Sequence, residues 1–181
     1  MFGKRQAPCF LGLKGNMHKG WFLHGDHDVR FLPVVVIFGV FIFGAEAPAQ
    51  IPISSIGELQ KIGNDPSYPL DGHYVLTQDI DASVTASWNG GAGFAPIGAN
   101  ASPFTGVFDG AGHVITNLVI NRPSEDFVGL FGAVDAAGRI QNLGMESVYV
   151  DGSYFVGAVV GALLGSVTSC YVTGVVTGYI G

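Results

Sequence analysis

The sequence predicts an all-β chain assembled from stacked repeats, as in a solenoid, propeller or array. Three observations carry that prediction. Glycine-rich apolar blocks recur toward the C-terminus: FVGLFG at Phe127–Gly132, FVGAVVG at Phe155–Gly161, and YIG at Tyr179–Gly181. A short β-branched run follows each complete block, Ile140–Leu143 and then Val167–Cys170, so the steps from Phe127 to Phe155 and from Ile140 to Val167 are 28 and 27 residues. A period of about 20–50 residues with glycine at fixed offsets is the signature of a repeat architecture. The third observation is composition: 28 glycines, 48% hydrophobic residues and only 12% charged ones. That is too apolar for disorder, and glycines without a collagen period serve tight turns between short strands.

Taken in order, the chain opens on residues that read as a targeting segment. Phe31–Ala45 is apolar throughout and is followed by Ala47-Pro48-Ala49. A basic lead, an apolar core and an A-x-A site predict a signal peptide over residues 1–49, cut after Ala49. Fifteen apolar residues are fewer than the ~20 that span a bilayer, which disfavours the rival reading as a retained anchor. The lead is long; either it is an extended signal or Met17 is the true start. His18, His24 and His27 fall in this leader and are not read as a metal tract.

Residues 50–82 are predicted to hold a capping helix and a first strand. Ser55-Ile56-Gly57-Glu58 has capping-box spacing, and Ile56, Leu59 and Ile62 then share one helical face. Gly63-Asn64 and Asp65-Pro66 end it. About two turns of helix are not stable alone, so the apolar face must cover the open front of the repeat stack, as terminal caps do. In Tyr74–Asp81, the residues Tyr74, Leu76 and Ile80 are core candidates. Asp79 and Asp81 are read as turn residues that bond nearby amides rather than as an acid/base or calcium pair, because no further acid stands at ligand spacing.

Residues 83–181 are predicted to be the repeat stack. Trp88–Gly98 is glycine-rich, but no lysine or helix pattern follows, so it reads as a surface loop and not a phosphate cradle. In Pro103–Ile120, Phe104, Phe108, Ile115, Leu118 and Ile120 are core candidates and Asp109-Gly110 marks a turn. Ile-x-Asn-Leu occurs at Ile115–Leu118 and again at Ile140–Leu143, and becomes Val167-Thr168-Ser169-Cys170. Asn117, Asn142 and Ser169 are therefore expected at one recurring corner, bonding their own backbone and that of the neighbouring coil.

The runs GFAPIG, PFTGVFDGAGHVITNLVI and FVGLFG resemble the GLUG-motif repeat regions of bacterial surface proteins, which accompany IgA-specific metallopeptidases and filamentous-haemagglutinin-like adhesins. The structural repeat positions are Phe127, Gly129, Gly132, Ile140, Asn142 and Leu143, then Phe155, Gly157, Gly161, Val167, Ser169 and Cys170. The second block departs from the motif by one extra residue and by Ala158 where leucine is usual. What the resemblance implies is a right-handed parallel β-solenoid on an exported protein, serving as stalk or adhesive surface. It implies host or cell-surface glycans or proteins as partners, and no catalytic residues.

Charge and motif content exclude several functions. From residue 50 onward Lys61, Arg122 and Arg139 face eleven acids, a net charge of −8. Such a surface has no means of neutralising phosphates, so nucleic acid and anionic lipid are not expected partners. With the leader removed, no membrane insertion is expected either. Only His73 and His113 remain beyond residue 49, and neither opens an H-E-x-x-H zinc motif. Asp109 and His113 lack a nucleophile in G-x-S-x-G context. No catalytic residue, cofactor or metal is therefore assigned. The rival is a carbohydrate-active β-helix enzyme, since two carboxylates suffice for glycoside hydrolysis; a cluster of acids with Arg or Lys on one face would mark it. Tyr68, Tyr74, Trp88, Tyr149, Tyr154 and Tyr171 are read as packing residues before a sugar-stacking strip. Once Cys9 leaves with the leader Cys170 has no partner, and it is expected to be a buried, inert thiol. The sequence stops where another FVG-like block begins, which predicts an open terminal coil and self-association, and leaves a third reading, a piece of a larger adhesin or peptidase.

Overall fold

A computed structural model describes residues 48–179. The leader before Pro48 lies outside the described residues, as do Ile180 and Gly181. Among the described residues, no helix is long and apolar enough to cross a membrane.

The fold is all-β with parallel pairing throughout its named strands. The strands are β1 (Ile51–Ile53), β2 (His73–Leu76), β3 (Ile80–Asp81), β4 (Val107–Asp109), β5 (Val114–Thr116), β6 (Val119–Asn121), β7 (Phe131–Val134), β8 (Arg139–Gln141), β9 (Gly144–Asp151), β10 (Val160–Leu163), β11 (Ser166–Thr168) and β12 (Tyr171–Thr177). They form three sheets. The first runs β1-β2-β4-β8-β11, the second β12-β9-β5-β3 with β6 also on β9, and the third pairs β7 with β10. From Ile97 onward each pass of the chain visits the third, first and second sheets in that order. Ile97 bridges Phe131, which pairs Val160. Phe108 pairs Ile140, which pairs Val167. Ile115 pairs Met145 in the second sheet.

The same side-chain alternation that makes a strand half-buried makes these passes stack their apolar residues in columns. Tyr74, Phe108 and Ile140 lie in register and are fully buried, as are Ile115 and Met145 in the second sheet. Phe104, Phe108 and Phe131 meet at the centre, with ring centroids 4.9 Å (Phe104 to Phe131) and 5.4 Å (Phe108 to Phe131) apart. Burial raises the Tyr74 phenol to about 12, with the nearby Asp71 charge adding to it.

The region 50–82 differs from its expected layout. A strand, β1, precedes the helix and pairs with β2 across it. Helix α1 (Ile56–Leu59) has four residues, and the chain continues in turns through Ile62, so Ile56, Leu59 and Ile62 still share one buried face. The Ser55 side chain accepts from the Glu58 amide at 3.2 Å, but the Glu58 carboxylate reaches back to the amide of Ser54 at 2.7 Å, one residue before the usual capping-box target. Gln60 then fastens the cap to the next pass, donating to Ala95 O at 3.0 Å and accepting from Ala95 N at 2.8 Å. The run Tyr74–Asp81 is two strands, β2 and β3, broken at a corner. Residues Ser83–Gly91 form a 3-10 segment kinked at Trp88–Gly90, so the run Trp88–Gly98, expected to be a surface loop, begins inside that segment.

Candidate functional surface

The twelve repeat positions meet one another across adjacent passes. Ile140 pairs Val167, and Val128 bridges Val156, which sets Phe127 beside Phe155. The two rings stack 4.8 Å apart at 7°. Both residues hold left-handed backbone, φ 61 and 55. Such a φ is uncommon for a bulky side chain; here it turns the ring outward at a corner while Val128 turns inward. The extra residue of the second block falls inside it: the offset is 28 residues at Val128–Val156 and 29 at Phe131–Val160.

Two glycine columns let the passes approach. Gly98, Gly132 and Gly161 form one: a Cβ on Gly132 would stand 2.4 Å from Gly98 O, and one on Gly161 2.7 Å from Gly132 O. The other column has no counterpart in the repeat positions read from sequence. Gly72, Gly106, Gly138 and Gly165 each precede a strand of the first sheet, and each carbonyl of the first three accepts the amide that starts the next strand. A Cβ on Gly106 would lie 2.0 Å from Gly72 O. The signal available in the sequence was a glycine one residue before each of β2, β4, β8 and β11.

The expected single column of corner residues divides in two. Asn142 and Ser169 belong to one corner, following the paired strands β8 and β11. Asn117 belongs to another, following β5, and its counterpart in β9 is Ser147. All four have left-handed backbone, φ 53 to 58, which asparagine tolerates better than most residues. The carboxamides bond side chains of the preceding pass and not backbone: Asn117 Nδ2 donates to Asp81 at 3.1 Å, and Asn142 Nδ2 to Asp109 at 3.0 Å.

Three aspartates thus act as clips between passes. Asp79 accepts from the Val114 amide at 3.0 Å and meets His113 at 3.1 Å. Asp81 also accepts from Ser83 N, an Asx turn. Asp109 accepts from Ala111 N at 2.8 Å and from Gln141 Nε2 at 2.8 Å. These donors hold each carboxyl below its usual range. For Asp79 the Val114 amide is the main cause, and for Asp81 the Asn117 carboxamide. For Asp109, burial opposes the shift most strongly, but Asn142, Gln141 and Ala111 together outweigh it. A carboxylate held ionised by such donors is an acceptor, not a proton donor for general acid catalysis.

The polar residues of the second sheet's outer face continue this pattern. Asp81, Thr116 and Glu146 lie in register, and Tyr171 donates to Glu146 at 2.8 Å, which pushes the Tyr171 phenol up. The cations of the described residues stand elsewhere: Arg122 pairs Glu125 at 2.8 Å, Lys61 lies over the Tyr68 ring, and Arg139 is in the first sheet. The six aromatics weighed for sugar stacking also scatter. Tyr74 is buried and Tyr68 stacks on it, Trp88 stacks on Phe94, and Tyr149, Tyr154 and Tyr171 are exposed. Cys170 is half-buried instead of buried, its Sγ 3.2 Å from Thr168 O, because it lies in the last described pass with nothing stacked beyond it.

Among the described residues, most of the exposed large apolar side chains lie in or beside that last pass. Val172, Val176 and Leu163 pair Met145, Val150 and Val134. The inner partners are 0%, 0% and 1% exposed, whereas the outer three are 40%, 45% and 46% exposed.

The chain matches no family model. No solved structure matches it either. Among curated proteins, it is 45% identical over 139 residues to Halomucin of Haloquadratum walsbyi, and 41% identical over 128 residues to a protein of Evansella cellulosilytica named as a Gly-rich membrane protein. These alignments take in 74% and 68% of the chain but only 2% and 14% of those two proteins, so the chain resembles a small part of two much longer relatives.

Proposed function

We propose that residues 51–179 are a parallel β-solenoid segment of an exported cell-surface protein, of the GLUG-repeat kind, with a structural or adhesive and non-catalytic role. The observation that carries this reading is the stack itself. Successive passes visit three sheets in one order and hold one another by glycine columns and by the clips of Asp79, Asp81 and Asp109. A stack of that kind builds reach and an outer face for contact with surface glycans or proteins. Similarity to a mucin-named protein and to one named for a membrane supports a place at the cell surface.

The test is surface accessibility on intact source cells. Antibody against residues 51–179 is expected to label unpermeabilised cells, and external protease is expected to remove the label. Labelling that appears only after lysis refutes the surface role. Release of new reducing ends from a polysaccharide by the purified chain refutes the non-catalytic one.

A further inference from the structure

We infer that Asn100 is a glycan attachment site, its carboxamide nitrogen taking an oligosaccharide at the tip of the hairpin Ala99–Ser102. The inference rests on the exported, cell-surface reading above and goes beyond it.

Asn100-Ala101-Ser102 has the Asn-x-Ser pattern of an N-glycosylation acceptor, and across the whole sequence no other asparagine is followed two residues later by Ser or Thr. The fold gives this asparagine an unusual place. Of the six asparagines among the described residues, four spend a side-chain N–H on holding the fold. Asn64 donates to Gln60 O, Asn89 to Gly93 O, Asn117 to Asp81 and Asn142 to Asp109. Asn100 and Asn121 are left, and Asn121-Arg122-Pro123 lacks the hydroxyl. The asparagine that meets the pattern is therefore one whose carboxamide the fold does not use.

The backbone around it makes a tight, projecting turn. Ala99 N donates to Ser102 O at 3.0 Å and Ser102 N to Ala99 O at 2.9 Å, so Asn100 and Ala101 are the two central residues of a hairpin. The roots are anchored: Ile97 and Phe104 are buried and bridge Phe131 and Val134 of the third sheet. Asn100, Ala101 and Ser102 are all exposed. Ala99 and Ser102 also line a cleft of about 200 Å³ with Ile62, Leu70 and Pro96, so the tip borders open space on that side as well. A substituent on Asn100 therefore displaces no packing and breaks no hydrogen bond between passes.

The donor is a lipid-linked oligosaccharide, joined through phosphate to its anomeric carbon. Transfer forms the bond from Asn100 Nδ2 to that carbon and breaks the carbon–oxygen bond to phosphate. The lipid phosphate leaves with the electron pair, and one Nδ2 proton passes to base.

The experiment uses the full chain produced in its source cells, native and as Asn100→Gln, Ser102→Ala and Ser102→Thr. Peptides containing residue 100 are weighed by mass spectrometry, and antibody labelling of intact cells reports export for each form. Far-UV circular dichroism verifies folding, which exposed turn substitutions leave intact. The expected result is an added glycan mass on Asn100 of the native chain, kept in Ser102→Thr and lost completely in Asn100→Gln and Ser102→Ala. Native chain that labels at the surface with Asn100 unmodified overturns this inference and leaves the surface role standing. Chain found only inside the cells and unmodified refutes the surface role and this inference with it. A glycan that persists on Asn100 in Ser102→Ala overturns recognition through the Asn-x-Ser pattern, and one that persists in Asn100→Gln overturns the assignment to this tip.

Discussion

The glycine column of the first sheet makes a sharp stability prediction at Gly106. In Gly106→Ala the new Cβ would stand 2.0 Å from Gly72 O, where ordinary van der Waals contact begins at 3.4 Å. The shortfall is roughly 1.4 Å, against a strand spacing of about 4.8 Å. The obstructing atom is a backbone carbonyl that accepts from Val107 N at 3.0 Å, so it cannot swing aside as a side chain would. Opening the passes by this amount breaks that bond and loosens Phe108 against Tyr74. Overpacking costs about 1–3 kcal/mol, and a lost hydrogen bond about 1 kcal/mol. The expected total is about 2–4 kcal/mol, or roughly 10 °C in Tm for a domain of this size. Gly57→Ala is the matched control. Nothing lies within 4 Å of its Cβ position, in helix α1, so alanine is expected to stabilise by about 0.5–1 kcal/mol. Urea midpoints followed by circular dichroism read both, at unchanged m. A Gly106→Ala midpoint within about 0.5 kcal/mol of the native one refutes the close-approach argument. So does an equal loss in Gly57→Ala.

Asn142→Ala is expected to cost about 1–2 kcal/mol, because alanine at φ 53 keeps neither the left-handed preference nor the bond to Asp109. Asn142→Gly should cost less in the same urea titration, and the reverse order would discredit the corner assignment. Asp79, Asp81 and Asp109 have folded pKa values below the unfolded value, so the unfolded chain takes up protons first on acidification. The stability they lend is present above about pH 3.9 and is lost as pH falls through the lower folded values. Urea midpoints should therefore drop as the pH falls below about 4, and Asp109→Asn should drop less over the same titration; an equal drop removes Asp109 from the cause. Phe131→Ala, buried against Phe104 and Phe108, is expected to cost about 3–5 kcal/mol by thermal melting, and a loss under 1 kcal/mol would contradict its central place in the core.

Apolar burial was the most legible part of the fold. Tyr74, Leu76, Phe104, Phe108, Ile115, Leu118 and Ile120 stand out as apolar positions in β-rich runs, and all are buried. The 27-residue step from Ile140 to Val167 is also the register of β8 on β11. Legibility ended where passes differ in length. Along one column the steps are 34 residues from Tyr74 to Phe108, 32 to Ile140 and 27 to Val167. A search for one period sees only the last of these. The first and longest of these steps carries the 3-10 segment and the glycine-rich loop that continues from it.

The misplacement of Asn117 has a related physical cause. The Ile-x-Asn-Leu motif does not name a column; it names a kind of corner. A strand that must turn sharply needs one residue with left-handed backbone between an inward apolar residue before it and another after it. Any corner with that geometry selects Asn, Ser or Gly and flanks it with Ile, Val or Leu. Each pass has several corners, so the motif recurs within a pass as well as between passes. Asn117 and Asn142 are 25 residues apart and mark different corners, whereas Asn142 and Ser169 are 27 apart and mark the same one. Local chemistry alone cannot separate the two cases. The glycine columns can, because their requirement is set by the neighbouring pass: a Cβ on Gly106 would strike the Gly72 carbonyl, and one on Gly165 would strike the Gly138 carbonyl. A glycine directly before β2, β4, β8 and β11, at whatever step the intervening loop imposes, therefore fixes register where a repeat motif does not.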